Sequence, residues 1–118
     1  MTSFTQITTE QVADIQIVNF NSNRVMDPMM IEEIGGELQS LIDQHKGGTF
    51  LLDLSNVEFL SSAVLNRLIV LDKNVKADKG VLAFSNLGPA VGEVFAITKL
   101  DLLFKIFDSR NAAIEALQ

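Results

Sequence analysis

The sequence predicts a single α/β domain with a mixed sheet. Short, almost wholly apolar runs alternate with longer segments whose apolar residues recur at helical spacing, and alternation of that kind builds parallel sheet. An Ile- and Val-rich stretch near the N-terminus has no helix beside it, so the sheet should open with an antiparallel ribbon. The 118 residues fit one domain of ordinary size, 1–118, without linker, repeat or low-complexity tract.

Ala13 to Phe20 reads as the first firm strand, with Thr5 to Thr9 a weaker one paired to it across Glu10 to Val12. Asp27 and Pro28 then start a helix. The carboxylate can accept from free backbone N–H groups, and proline, which has no donor, suits the first helical position. Met30, Ile31, Ile34, Leu38, Leu41 and Ile42 follow at helical spacing and Gly47–Gly48 supply the stop, giving a helix near residues 28 to 45. Gly35 and Gly36 inside it together cost up to about 2 kcal/mol relative to alanine, which suggests close packing of the helix backbone. Met26 and Met29 lie at its start as either gap fillers or an adaptable binding surface.

Phe50 to Leu54 is too short for a helix and apolar on both faces, as buried parallel strands are. Val64, Leu65, Leu68, Ile69, Leu71 and Val75 resume helical spacing, with Asn66, Arg67, Lys73, Asn74 and Lys76 opposite. Val81 to Phe84 repeats the buried-strand pattern, Pro89 opens a helix carrying Val91, Val94, Phe95 and Thr98, and Phe104 to Phe107 is one more strand before a terminal helix near 109 to 117. About four helices result.

Composition narrows the chemistry. The chain is 47% hydrophobic and 20% charged with a net charge of −6, which fits a folded domain and disfavours phosphate backbones as partners. It has no cysteine and one histidine, His45, so thiolate chemistry and histidine-pair metal sites are excluded, and no cofactor is expected. The N-terminus lacks the basic and apolar regions of a signal peptide and no run approaches about 18 apolar residues, so the expectation is a cytoplasmic protein without membrane contact.

The segment "VEFLSSAVLNRL", residues 57 to 68, sets two hydroxyls at the start of the second helix. Unsatisfied N–H groups and the helix dipole favour an oxygen or a negative charge there, beyond the carboxyl end of a parallel strand, where open α/β sheets bind ligands. A serine in that place can be an ordinary cap contributing about 1 kcal/mol, or a phosphate acceptor. Serine hydrolysis is disfavoured, because His45 sits at the far end of the first helix and Asp53 reads as a strand-end acceptor; no catalytic residue is expected.

The run "LLDLSNVEFLSSAVLNRLIVL" resembles the central motif of STAS domains, particularly of bacterial anti-sigma factor antagonists, and "GVLAFSNLGPAVGEVFAITKLDLLFKIFDSRNAAIEAL" is similar to the rest of that family's pattern. The resemblance covers residues 13 to 117. It implies a regulator that binds an anti-sigma factor, itself a serine kinase, and is reset by a phosphatase. It carries the phosphorylated serine onto Ser62, with Ser61 the runner-up. Ser61 stands where many relatives have aspartate, and Val64 and Asn66 replace two common glycines. The implied partner-binding residues are Glu58, Ser61, Ser62, Val64, Asn66 and Arg67. The alternative is an unphosphorylated STAS module that senses a ligand or nucleotide or serves as a scaffold.

Overall fold

A computed structural model describes residues 4–118. Its elements are β1 (Ile7–Val12), β2 (Ile15–Phe20), β3 (Arg24–Val25), α1 (Pro28–Gln44), β4 (Thr49–Asp53) and β5 (Phe59–Leu60). They continue with α2 (Ser62–Ala77), β6 (Val81–Ser85), α3 (Pro89–Ile97), α4 (Leu100–Leu103), β7 (Lys105–Phe107) and α5 (Arg110–Leu117). The main sheet has the order β1-β2-β4-β6-β7, antiparallel between β1 and β2 and parallel thereafter. This is the mixed α/β sheet that the alternation predicts.

The pleat explains the layers. Val18, Phe20, Phe50, Leu52, Leu82 and Phe84 point to one face, where they pack against Ile34 and Leu38 of α1, Leu68 and Val75 of α2 and Phe95 of α3. Ile15, Ile17, Leu51 and Ala83 point to the other, covered by Ala113, Ile114 and Leu117 of α5. Burial on both faces is why β4 reads as a continuous apolar run. Phe84, Phe95 and Phe104 close the first core at its far edge, with ring centroids 4.7 to 5.9 Å apart.

Several details differ from the sequence reading. The opening turn falls at Ala13–Asp14 and not at Glu10 to Val12: Ala13 takes φ +54°, and this tight turn lets Glu10 pair with Ile17 and Val12 with Ile15. The helices among the described residues number five, because α3 stops at Ile97. Lys99 adopts φ +62°, and the chain then makes the short α4 before Phe104 turns into the core. Gly35 is not a close-packing site: the nearest atoms a side chain there would meet belong to the Arg67 side chain, at an ordinary 3.5 Å, and one at Gly36 would meet nothing within 4 Å.

Asp27 does cap α1, accepting from the backbone N–H of Met29 at 2.8 Å. Met30 packs partly buried against the core, whereas Met26 and Met29 are exposed and fill no gap.

Candidate functional site

The site is built where β4 delivers the chain to α2. Asp53, buried at the strand end, accepts from the Ser55 backbone N–H at 2.9 Å and from the Asn86 side-chain amide at 3.3 and 3.4 Å. This ties the loop after β4 to the loop after β6 and commits Asp53 to holding backbone. Leu54 and Val57 anchor the connection by burial, and the Asn56 side chain donates to the Phe20 carbonyl. The Glu58 and Phe59 N–H groups both donate to the Asn23 carbonyl, β5 pairs in parallel with β3, and the Ser61 N–H donates to the Val25 carbonyl at 3.1 Å. The start of α2 is thereby fixed by backbone bonds on its approach. A two-residue strand has no periodicity, so neither β3 nor β5 was readable; only the apolar Val25 and Leu60, which become core, hinted at them.

The two serines have different surroundings. Ser61 occupies the cap position in extended conformation, φ −79° and ψ 164°, and its carbonyl accepts from the Val64 and Leu65 N–H groups. Its hydroxyl does not cap the helix. The Oγ is shielded from solvent and makes no hydrogen bond within the protein. Ser62 is the first helical residue, and its side chain is exposed.

The other residues implied by the resemblance divide in the same way. Glu58 is exposed on the approach, and Asn66 and Arg67 are exposed on α2, with Asn66 one turn beyond Ser62 on the same face. Val64 is 2% exposed and joins the core with Leu65. It is therefore corrected from a contact residue to a packing residue, because the helical turn that exposes Ser62 carries position 64 inward. Arg67 forms an ion pair with Glu32 of α1, and Lys76 one with Asp72 at 2.8 Å, so the basic stripe of α2 is partly neutralised from within.

His45 is the C-cap of α1, before the amino end of β4, while Ser62 lies past the carboxyl end of the same strand. Topology keeps them at opposite ends of the sheet, so His45 is not positioned to act as a base for either serine.

Sequence reasoning also missed a groove beside the serines, between β5 and α3. Phe59, Leu60, Ala90, Val94 and Ile97 line it, with Glu93 the charged group among its walls. The Arg24 guanidinium lies 5.5 Å from the centre of the Phe59 ring, a cation–π contact at one side. The signal was available in α3, which carries apolar residues on more than its core-facing stripe.

Comparison with known proteins gives a consistent picture. A family model described as the STAS domain matches residues 6–113. BtrV of Bordetella bronchiseptica, whose name makes it a candidate anti-sigma factor antagonist, is 30% identical over 94 residues, spanning 80% of each chain. Among solved structures, an anti-sigma-factor antagonist (STAS) domain protein from Planctomyces limnophilus superposes with a TM-score of 0.86 at 23% identity, covering 98% of this chain and 100% of that one. The Bacillus cell fate determinant SpoIIAA in its phosphorylated form superposes with a TM-score of 0.72 at 17% identity, covering 95% and 99%. These last two likenesses establish the fold. No helix among the described residues is long and apolar enough to cross a membrane.

Proposed function

We propose, from the premise that this chain belongs to the STAS domain family, that it is a cytoplasmic regulator switched by phosphorylation of Ser62. It is an anti-sigma factor antagonist-like STAS protein. Its partners in this reading are an anti-sigma factor that is also the serine kinase, and a phosphatase that restores the hydroxyl. The observation that carries the choice of acceptor is the contrast between neighbours: the Ser62 side chain is exposed at the first position of a 16-residue helix, whereas the Ser61 oxygen is buried. A kinase can reach one and not the other. That SpoIIAA has been solved in a phosphorylated form is consistent with this reading.

In this mechanism the unmodified face of Glu58, Ser62, Asn66 and Arg67 docks the anti-sigma factor. Phosphorylation adds about −1.5 to −2 charges. A like charge about 6 Å away across a partly wet interface then costs roughly 3 kcal/mol per unit at an effective dielectric of about 20, a weakening of about a hundredfold for each unit of charge. Within the domain the same phosphate faces the free N–H groups and positive dipole of α2, which offset Glu58. The switch therefore acts on the partner and leaves the fold intact. The reaction belongs to the kinase and phosphatase, and this chain supplies the acceptor and the surface.

Mass spectrometry of the protein from its own cells, in growth and under stress, tests the proposal. A phosphate that disappears in Ser62→Ala and persists in Ser61→Ala is expected; its absence under every condition would overturn the switch. Ser62→Asp should melt within a few degrees of the unmodified chain, and a drop of many degrees would contradict a switch that spares the fold. The alternative, a ligand- or nucleotide-sensing module, has a place in the hollow of about 300 Å³ between α1 and α2, floored by Gly35 and Gly36. Nucleotide-induced chemical-shift changes confined to that hollow would favour it.

A further inference from the structure

We propose that the groove between β5 and α3 receives an apolar anchor side chain of a protein partner, and that the partner carries a lysine or arginine beside that anchor. The proposal rests on the reading above in one respect: it takes the Ser62 face to be a protein-docking face and extends it.

The pattern of α3 is the first argument. Val91 and Phe95 form its core stripe and are buried at 2% and 0% exposure. Ala90, Val94 and Ile97 form a second stripe at helical spacing, turned to the groove and to solvent, with Ile97 72% exposed. A surface helix of a domain this size needs one apolar stripe; a second one, half-buried at Val94 and open to solvent at Ala90 and Ile97, is suited to a surface outside the chain.

Shape and continuity are the second. The groove holds about 200 Å³ and is walled by Phe59 and Leu60 opposite α3. Leu60 immediately precedes Ser61 and Ser62, so a segment seated in the groove continues onto the exposed start of α2. The walls lack the converging polar side chains that orient a small molecule, which favours a side chain delivered by a protein.

Charge decides the chemistry of the flank. Glu93 lies in the wall and exposed Glu58 stands next to Phe59, while Arg24, the cation alongside, is held over the Phe59 ring. Arg24 keeps its charge there, but the two carboxylates outnumber it, so the rim favours a cationic neighbour for the apolar anchor, in a chain whose net charge is −6.

Display selection of random peptides against the full chain, followed by chemical-shift mapping, tests the proposal. The expected peptides join an apolar anchor to a lysine or arginine and shift the amides of Ala90, Val94 and Ile97. Ile97→Asp, an exposed position whose change spares the fold, should reduce their affinity tenfold or more. Glu93→Lys should reduce it several-fold, and Lys46→Ala, exposed before the amino end of β4, should leave it unchanged. Peptides that map elsewhere, lack the basic residue, or tolerate Ile97→Asp would overturn the proposal. So would a concentration-dependent dimer in sedimentation that Ile97→Asp dissolves, since the groove would then belong to a second copy. Failure of the switch remains separable: a chain never phosphorylated that still binds such peptides keeps the groove, and a phosphorylated chain that binds none keeps only the switch.

Discussion

The two ends of the parallel sheet are built on different terms. At the amino ends of β4 and β6 the backbone is locked. Gly80 approaches the Gly48 carbonyl so closely that a Cβ would lie 2.6 Å from its oxygen, and a Cβ at Gly48 would lie 2.7 Å from the His45 carbonyl oxygen. Those carbonyls are in use, since Val81 donates to Gly48 and Gly48 donates to His45. At the carboxyl ends the backbone is pinned as well, but several side chains are left without partners within the chain. A shielded serine hydroxyl makes no bond, the first residue of α2 faces solvent, and a second apolar stripe of α3 lies beside an open groove. Residues at the locked end are dictated by the chain's own geometry. At the carboxyl end the Ser61, Ser62 and Ile97 side chains answer to little within the chain, which suits the partner role proposed above.

The comparison breaks most readily at Gly80. Gly80→Ala should destabilise by about 3 kcal/mol, because the new methyl meets the Gly48 carbonyl and Val75 together; urea unfolding measures it, and an unchanged midpoint would mean that the end is not locked. Ser61→Ala should stabilise by about 1 kcal/mol, since it removes a hydroxyl desolvated without a partner. A loss of similar size in the same experiment would mean that the hydroxyl does cap α2. Gly36→Ala should also stabilise, by somewhat less than about 1 kcal/mol, as the site is helical and open. The smallest effect is expected at Lys99, where glycine relieves the left-handed backbone and Lys99→Gly should stabilise by about 0.5 kcal/mol, read as a slight rise in melting point.

Much of the fold was legible because its signals are local and periodic. Asp27–Pro28 marked the start of α1, the short, mostly apolar runs Phe50–Leu54 and Val81–Phe84 marked β4 and β6, and alternation of strand and helix implied parallel pairing. The misses have two causes, pairing between segments distant in sequence and left-handed backbone at residues that do not favour it. The two-residue β3 and β5 exist only through their pairing with each other, and α4 follows from a left-handed lysine that no propensity favours. Val64 was apolar enough to be read as core, and the family pattern nevertheless suggested it for the contact surface; the burial of the α2 stripe decided for the core.

The sequence by itself determined the class of fold, the family motif, the absence of cysteine and the presence of hydroxyls at a helix start, because these depend on residue identity and short-range spacing. Only the tertiary structure decided which hydroxyl is offered to solvent, which glycines are obligatory and where α3 leaves a face uncovered. Those properties depend on what lies across the gap from a side chain, and for Ser61, Gly80 and Ile97 the neighbours come from other elements of the chain or, at Ile97, from solvent.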